Sequence, residues 1–454
     1  MNSDAPLPQI NAPRPALVGP ATFTAFASAL AVWTTWYITH LPALAMRESF
    51  SIPLILIAWS ASIFWCVRGL GKRSITIGTL GGGLSAILGL LILGSKLVEP
   101  SATDASKAVP SAFLIAAGFV AAGFALGAIW GVIGRIVPEG GRSERWLPKF
   151  ALLAAASVLP LLVAGGLVTS TDTGMAVPDW PNTFGSNMFL YPLGPRVQPI
   201  LGEEYRGIYL EHAHRLFGAL VGLTILTLMV WTVAAEDRKW VKVLAGIAFA
   251  LVCMQGVLGG LRVIENARLL GALHGISGQL IFGLVVAIAG VMSPPFRSLS
   301  SADAPANPKR LRIATTAALH LTVLQLVLGA IYRHFRSDHV LYSHIAFSVL
   351  VLLAALVAGF LIRGRITPDP SRPGPRTFRM IGGLVVAVVT LQFLLGWLAF
   401  FLGGKTIGAS STTEALIRTA HQANGAALIA CLTAAMVFAR GLYAKALRPS
   451  VLAP

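Results

Sequence analysis

The sequence predicts an all-α, polytopic membrane protein with about twelve transmembrane helices. Three observations carry that expectation. Of 454 residues, 55% are hydrophobic and only 12% are charged, where a soluble domain carries about 25%. The apolar residues gather in runs of about twenty, the length at which a helix crosses roughly 30 Å of hydrocarbon with every backbone group bonded inside the segment. Short segments rich in Lys and Arg separate the runs, and the net charge is +17. This composition excludes a disordered chain, a collagen and a disulfide-stapled secreted module. Cys66, Cys253 and Cys431 all lie in apolar runs, so they offer neither a disulfide framework nor a cysteine metal site.

In chain order the spans fall at about 18–41, 51–70, 75–96, 110–135, 148–169, 212–235, 241–263, 271–292, 313–332, 342–362, 379–403 and 416–439. The stretch before the first span is polar and Pro-rich and contains Arg14, so no cleavable signal is expected. With the N-terminus inside, 23 of the 35 Lys and Arg fall on the inner side and 12 on the outer. The inner clusters are Arg68/Lys72/Arg73, Arg135/Arg142/Arg145/Lys149, Arg238/Lys239/Lys242, Lys309/Arg310/Arg312 and Arg363/Arg365/Arg372/Arg376/Arg379. The longest outer loop, about 170–211, is not basic. The positive-inside rule therefore predicts a multi-pass protein of the plasma membrane with both termini cytoplasmic. Its basic excess is expected to meet anionic lipid headgroups, with no nucleic-acid partner.

Spans 5–8 and 9–12, over 148–292 and 313–440, read as two copies of one four-helix unit, preceded by a four-helix extension at 1–140 of unassigned role. Span 7 carries Gln255-Gly256-Val257-Leu258-Gly259, span 9 Gln325-Leu326-Val327-Leu328-Gly329, and span 11 Gln392-Phe393-Leu394-Leu395-Gly396. In each, an amide lies one turn from a glycine. The glycine admits a neighbouring backbone or a flat ligand, and the amide bonds across the bundle. Simple helix packing is the bland explanation of any one copy; recurrence points Gln255 and Gln392 toward a ligand.

Spans 6, 8, 10 and 12 run from outside to inside, and each carries a histidine near its outer end: His214, His274, His344 and His421. Intramembrane ionisable groups are costly and mark function. Four on parallel helices, two per repeat, fit paired axial ligands of haem iron, one pair in each half. A proton relay and a non-haem metal site are the other readings. His212 lies about 200° round the helix from His214, so the two cannot face one iron. His40, His320, His334 and His339 read as structural or loop residues.

Span 6 opens Glu211-His212-Ala213-His214-Arg215, and the outer loop before it reads Thr171-Asp172-Thr173-Gly174-Met175-Ala176-Val177-Pro178-Asp179-Trp180-Pro181. With the four histidines and the Gln-x-x-Leu-Gly repeats, these residues resemble the haem A synthase family over about 148–440. The resemblance implies eight helices in two halves and oxidation of the C8 methyl of haem O to a formyl group, giving haem A for terminal oxidases. It implies that His214 and His274 flank the substrate haem O, and that His344 and His421 hold haem b. Glu211 shares a helix face with His214 and could accept a proton or stabilise positive charge beside the methyl; a helix-terminal acid is the bland alternative. Arg215 could pair with a haem propionate or with a lipid headgroup. Asp179-Trp180-Pro181 would cap the outer mouth.

Two departures from the family pattern stand out. Many bacterial members carry a cysteine pair in the first outer loop, the first where this chain has Val177, and here neither exists. The extension at 1–140 holds no intramembrane histidine; its glycine-rich faces, such as Gly81-Gly82-Gly83, read as scaffold or as a docking surface. Candidate partners are a haem O synthase, oxidase assembly factors, an unidentified electron donor and a second copy of the chain. A dihaem b-type electron carrier and a transporter are the competing functions. The carrier is disfavoured because all four histidines lie near one side, and the transporter because its polar groups would lie at the midplane.

Overall fold

A computed structural model describes residues 17–99, 108–138, 145–191, 204–369, 371–403, 408–409 and 411–447. Arg14, Arg142, part of the loop before span 6 and the two termini lie outside the described residues. Among the described residues there are twelve long helices. They are α1 Val18–Thr39, α2 Glu48–Val67, α3 Arg73–Leu93, α4 Ala112–Ile136, α5 Trp146–Thr171, α6 Tyr205–Ala235, α7 Lys239–Ile264, α8 Arg268–Met292, α9 Pro308–Phe335, α10 Asp338–Arg365, α11 Pro373–Leu402 and α12 Thr412–Ala446. Eleven of these are long and apolar enough to cross a membrane, and the chain is an all-α multi-pass membrane protein. The exception is α1, whose face is diluted by polar and aromatic residues. That face is buried: Thr24 bonds back to the Pro20 carbonyl at 2.8 Å, Ser28 meets Ser62 of α2 at 3.1 Å, and Trp33 and Tyr37 lie in the core.

Local signals explain where several helices start and stop. Asn307 accepts the Arg310 N–H, with Pro308 in the first turn of α9. Ser411 caps α12 through the Glu414 N–H. Asp172 and Arg336 close α5 and α9 with φ of 56° and 52°. The helices overrun the apolar spans. α6 begins at Tyr205 and α12 at Thr412, because amphipathic turns continue past the hydrocarbon boundary that hydropathy detects. Glu211 is therefore not a helix-terminal acid; it is the seventh residue of α6.

Helices α5–α8 close a four-membered ring, α9–α12 close a second, and the rings meet where α12 and α9 pack on α5 and α8. One core cluster runs through both rings, with Phe150, Val285, Ala318, Ala355, Phe378 and Leu432 fully buried. The extension α1–α4 leans on the first ring through α1 against α5 and α6, where the Tyr209 hydroxyl donates to the Tyr37 carbonyl at 2.9 Å. Within it α3 and α4 touch backbone to backbone. A Cβ on Gly82 would fall 2.3 Å from the Gly123 oxygen, and one on Gly78 the same distance from that of Gly127. The buried residues of α4 are four glycines, Gly123, Gly127, Gly131 and Gly134, and most of its other side chains are exposed.

At the end away from the histidines, salt bridges clamp the connection between the rings. Glu236 pairs with Arg238 at 2.8 Å and Arg297 at 2.8 Å. Asp303 pairs with Arg372 at 2.6 Å, and Lys445 donates to the Leu299 carbonyl.

Candidate functional site

The four histidines come together as two pairs at one end of the core. His214 of α6 faces His274 of α8 across the first ring, with centroids 6.4 Å apart and planes at 80°. His344 of α10 faces His421 of α12 across the second, at 6.3 Å and 78°. A metal atom about 2 Å from one nitrogen of each ring, with about 1 Å more from nitrogen to centroid, sets centroids about 6 Å apart. Both pairs meet that spacing. The Nδ1 atoms of His214, His274 and His344 are buried without a hydrogen-bond partner, which is unfavourable unless the ring serves another acceptor or an ion. No cluster of three or more metal-binding side chains exists among the described residues. Donors that come in twos suit an iron whose remaining ligands belong to a macrocycle, so the residues present fit haem in both rings.

Each imidazole rests on a glycine of the preceding helix. A Cβ would lie 2.8 Å from His214 at Gly165, 3.0 Å from His274 at Gly259, 2.9 Å from His344 at Gly329 and 3.4 Å from His421 at Gly396. The glutamine one turn earlier supports the same partner. Gln255 and Gln325 donate to the backbone carbonyls of His274 and His344 at 2.9 and 2.8 Å, and Gln392 lies 3.3 Å from His421 Nδ1. The glutamines therefore fasten helix to helix more than they address a ligand. The support is reciprocal, since Gln255 lies over Gly278 and Gln392 over Gly425, each four residues past a histidine. Sequence reading missed this His-x-x-x-Gly half of the motif, and missed Gly165, because α5 carries Leu161 where the other helices carry glutamine. Beside Gly218, the corresponding position after His214, nothing lies within 4 Å.

The second pair opens into a cavity of about 320 Å³ that also touches Gly275 and Gln279 of α8 and reaches Arg333, Arg336 and Arg418. The first pair is covered by the loop after α5. Glu211 is 4% exposed; its Oε2 accepts the Val177 N–H at 2.9 Å and its Oε1 the Arg215 guanidinium at 2.6 Å. Arg215 also donates to the carbonyls of Asp179 at 2.7 Å, Asn182 at 3.0 Å and Val177 at 2.9 Å. Those bonds turn Arg215 into the loop, away from the propionate or headgroup role read from sequence. Asp179 accepts the N–H groups of Phe184 and Gly185, each at 2.7 Å, and Trp180 lies on Gly260 of α7. Burial, with the negative field of Asp179, pushes the Tyr191 phenol in this loop up to about 12.

The position three before each histidine separates the pockets: Glu211, Gly271 and Leu341 before the first three, and Arg418 before His421. A buried carboxylate at that position occurs in the first pocket alone. Of the other histidines, His212 is buried against Thr183 and Tyr191, His40 bonds the Trp36 carbonyl, and His320 bonds that of Thr316. His334 and His339 are not loop residues. They lie in the last turn of α9 and the first of α10, and His334 reaches across to Gly271 of the first ring.

Fold and site thus define a polytopic membrane protein with two facing histidine pairs at one end of a duplicated four-helix core. Residues 148–344 match the family described as COX15-CtaA, cytochrome oxidase assembly protein. Among similar proteins is a heme A synthase of Exiguobacterium sibiricum, 30% identical over 195 residues, covering 42% of this chain and 60% of that one. Another, from Lysinibacillus sphaericus, is 30% identical over 198 residues, covering 43% and 60%. A third, from Rhodopseudomonas palustris strain HaA2, is 29% identical over 230 residues, covering 45% and 60%. The resemblance read from the motifs is borne out, and the chain spans about 60% of the length of these curated relatives.

Proposed function

We propose that this chain is a haem A synthase, an enzyme that oxidises the C8 methyl of haem O to a formyl group in the first ring and holds haem b in the second. The asymmetry of the two pockets carries this reading: they share histidines and glycine seats, yet only the first places a buried carboxylate one turn from a histidine. The net change, methyl plus water to formyl with release of four electrons and four protons, requires both an electron acceptor and a proton acceptor. Bound haem supplies the redox chemistry. His214 and His274 would hold the substrate iron, and His344 and His421 that of haem b. Glu211, acceptor-only while it takes hydrogen bonds from Arg215 and Val177, is placed to receive a proton or to stabilise positive charge as it develops. The loop 172–191 keeps bulk water from the first pocket. The histidine end faces outward in this reading, with both termini in the cytoplasm.

The test is haem extraction from a haem O-producing bacterium expressing the chain. Haem A or its hydroxylated precursor is expected with the intact protein. Glu211→Gln, which keeps the shape, is expected to lower that yield by about 100-fold or more while haem b stays bound. Haem O left unchanged beside bound haem b, with electron transfer partners supplied, would replace this reading with the dihaem electron carrier.

A further inference from the structure

Arg262 lies in the last turn of α7, three residues past the glycine that seats His274, and His334 in the last turn of α9, on the other ring. Both converge on Gly271, one turn beyond His274 toward the histidine end. A Cβ there would fall 2.9 Å from Arg262 Nε and 3.0 Å from His334 Cε1. Arg262 spends one Nη1–H on the Gly174 carbonyl at 2.7 Å. No carboxylate lies within ion-pair distance of it among the described residues, although it is half-buried. Arg215, on the opposite wall, is consumed by three loop carbonyls and Glu211. A half-buried guanidinium held without a counter-ion one turn from His274 is costly unless a ligand brings the negative charge.

We infer that Arg262 and His334 form the anion cradle of the first pocket and bind a carboxylate of the macrocycle, its propionate, so that the substrate site is completed by a residue of the second ring. The inference rests on the haem reading above. The guanidinium fork matches a carboxylate bidentately, and the absent Cβ of Gly271 leaves both groups room to close on it. Because His334 belongs to α9, separating the rings would unmake the cradle even with every first-ring residue in place.

The experiment titrates the purified full chain with ferric protoporphyrin haem as the free acid and as its dimethyl ester, following the Soret band. The first pocket is identified as the component lost in His274→Ala. The free acid is expected to bind there about ten-fold or more tightly than the ester, the range of one charge-assisted contact. Arg262→Gln is expected to erase that preference. His334→Gln, which leaves the Gly174 contact alone, is expected to reduce it, and Gly271→Ala to weaken the acid without changing any charge. Equal binding of acid and ester by the wild-type chain overturns the cradle, as does a preference that survives Arg262→Gln and disappears in Arg215→Gln. In both cases haem still binds and the haem reading stands. Binding of neither form at the first pocket overturns the cradle and the haem reading together.

Discussion

The glycine beneath each histidine yields a graded prediction. At Gly329 an added Cβ would lie 2.9 Å from the His344 ring, and at Gly396 it would lie 3.4 Å from that of His421. Carbon atoms in contact settle at about 3.5–4.0 Å. Gly329→Ala must therefore push His344 by at least about half an ångström, whereas Gly396→Ala needs almost no movement. Overpacking of that size costs about 1–3 kcal/mol, and because the ring is the proposed iron ligand the cost falls on ligation. Haem affinity of the second pocket is expected to fall about 5- to 150-fold in Gly329→Ala and to stay within about two-fold in Gly396→Ala. The assay is the haem-to-protein ratio in mild detergent, read with the low-spin bis-imidazole absorption bands. Equal loss in both variants, or full retention in Gly329→Ala, would refute the idea that glycines set the imidazole positions.

Three further outcomes are expected. Gln325→Leu removes the bond to the His344 carbonyl, worth about 1 kcal/mol, and should weaken haem binding in the second pocket about five-fold by optical titration. Gly82→Val drives a side chain into the Gly123 carbonyl and should open α3 from α4, read as faster proteolysis of residues before 140, while both histidine pairs keep their haem spectra. The Glu236 carboxyl is held down to about 2, chiefly by its hydrogen bonds to Arg238, against about 4.3 in an unfolded chain. Its folded value is depressed, so its stabilisation is complete above about pH 4.3 and is lost as pH falls toward 2; thermal unfolding in detergent should show that loss in the wild type and a flatter profile in Glu236→Gln.

The helix count and the all-α class were legible because hydrocarbon imposes one length and one composition on every span. α1 was the weakest case, since its interior place lets it carry Thr24, Ser28 and Trp33. The four histidines were legible from recurrence at one depth, and Glu211 from its spacing to His214. What stayed hidden depends on contacts between segments distant in sequence. The bonds of Arg215 to the loop were hidden because the carbonyls that take them leave no local signature. His334 read as a loop residue because hydropathy ends span 9 at about 332, three residues before α9 itself stops at Phe335. Gly165 escaped because its helix lacks the glutamine that marks the other three seats.

Glu211 and Arg215 hold the loop over the first histidine pair through its main-chain atoms: the N–H and carbonyl of Val177 and the carbonyls of Asp179 and Asn182. Every amino acid supplies those atoms. A lineage can therefore rewrite the side chains at 177, 179 and 182 without unfastening the loop from Glu211 and Arg215. Substitution there is cheap and backbone register is not, so drift in the loop should accumulate as replacements and seldom as insertions or deletions between Val177 and Asn182.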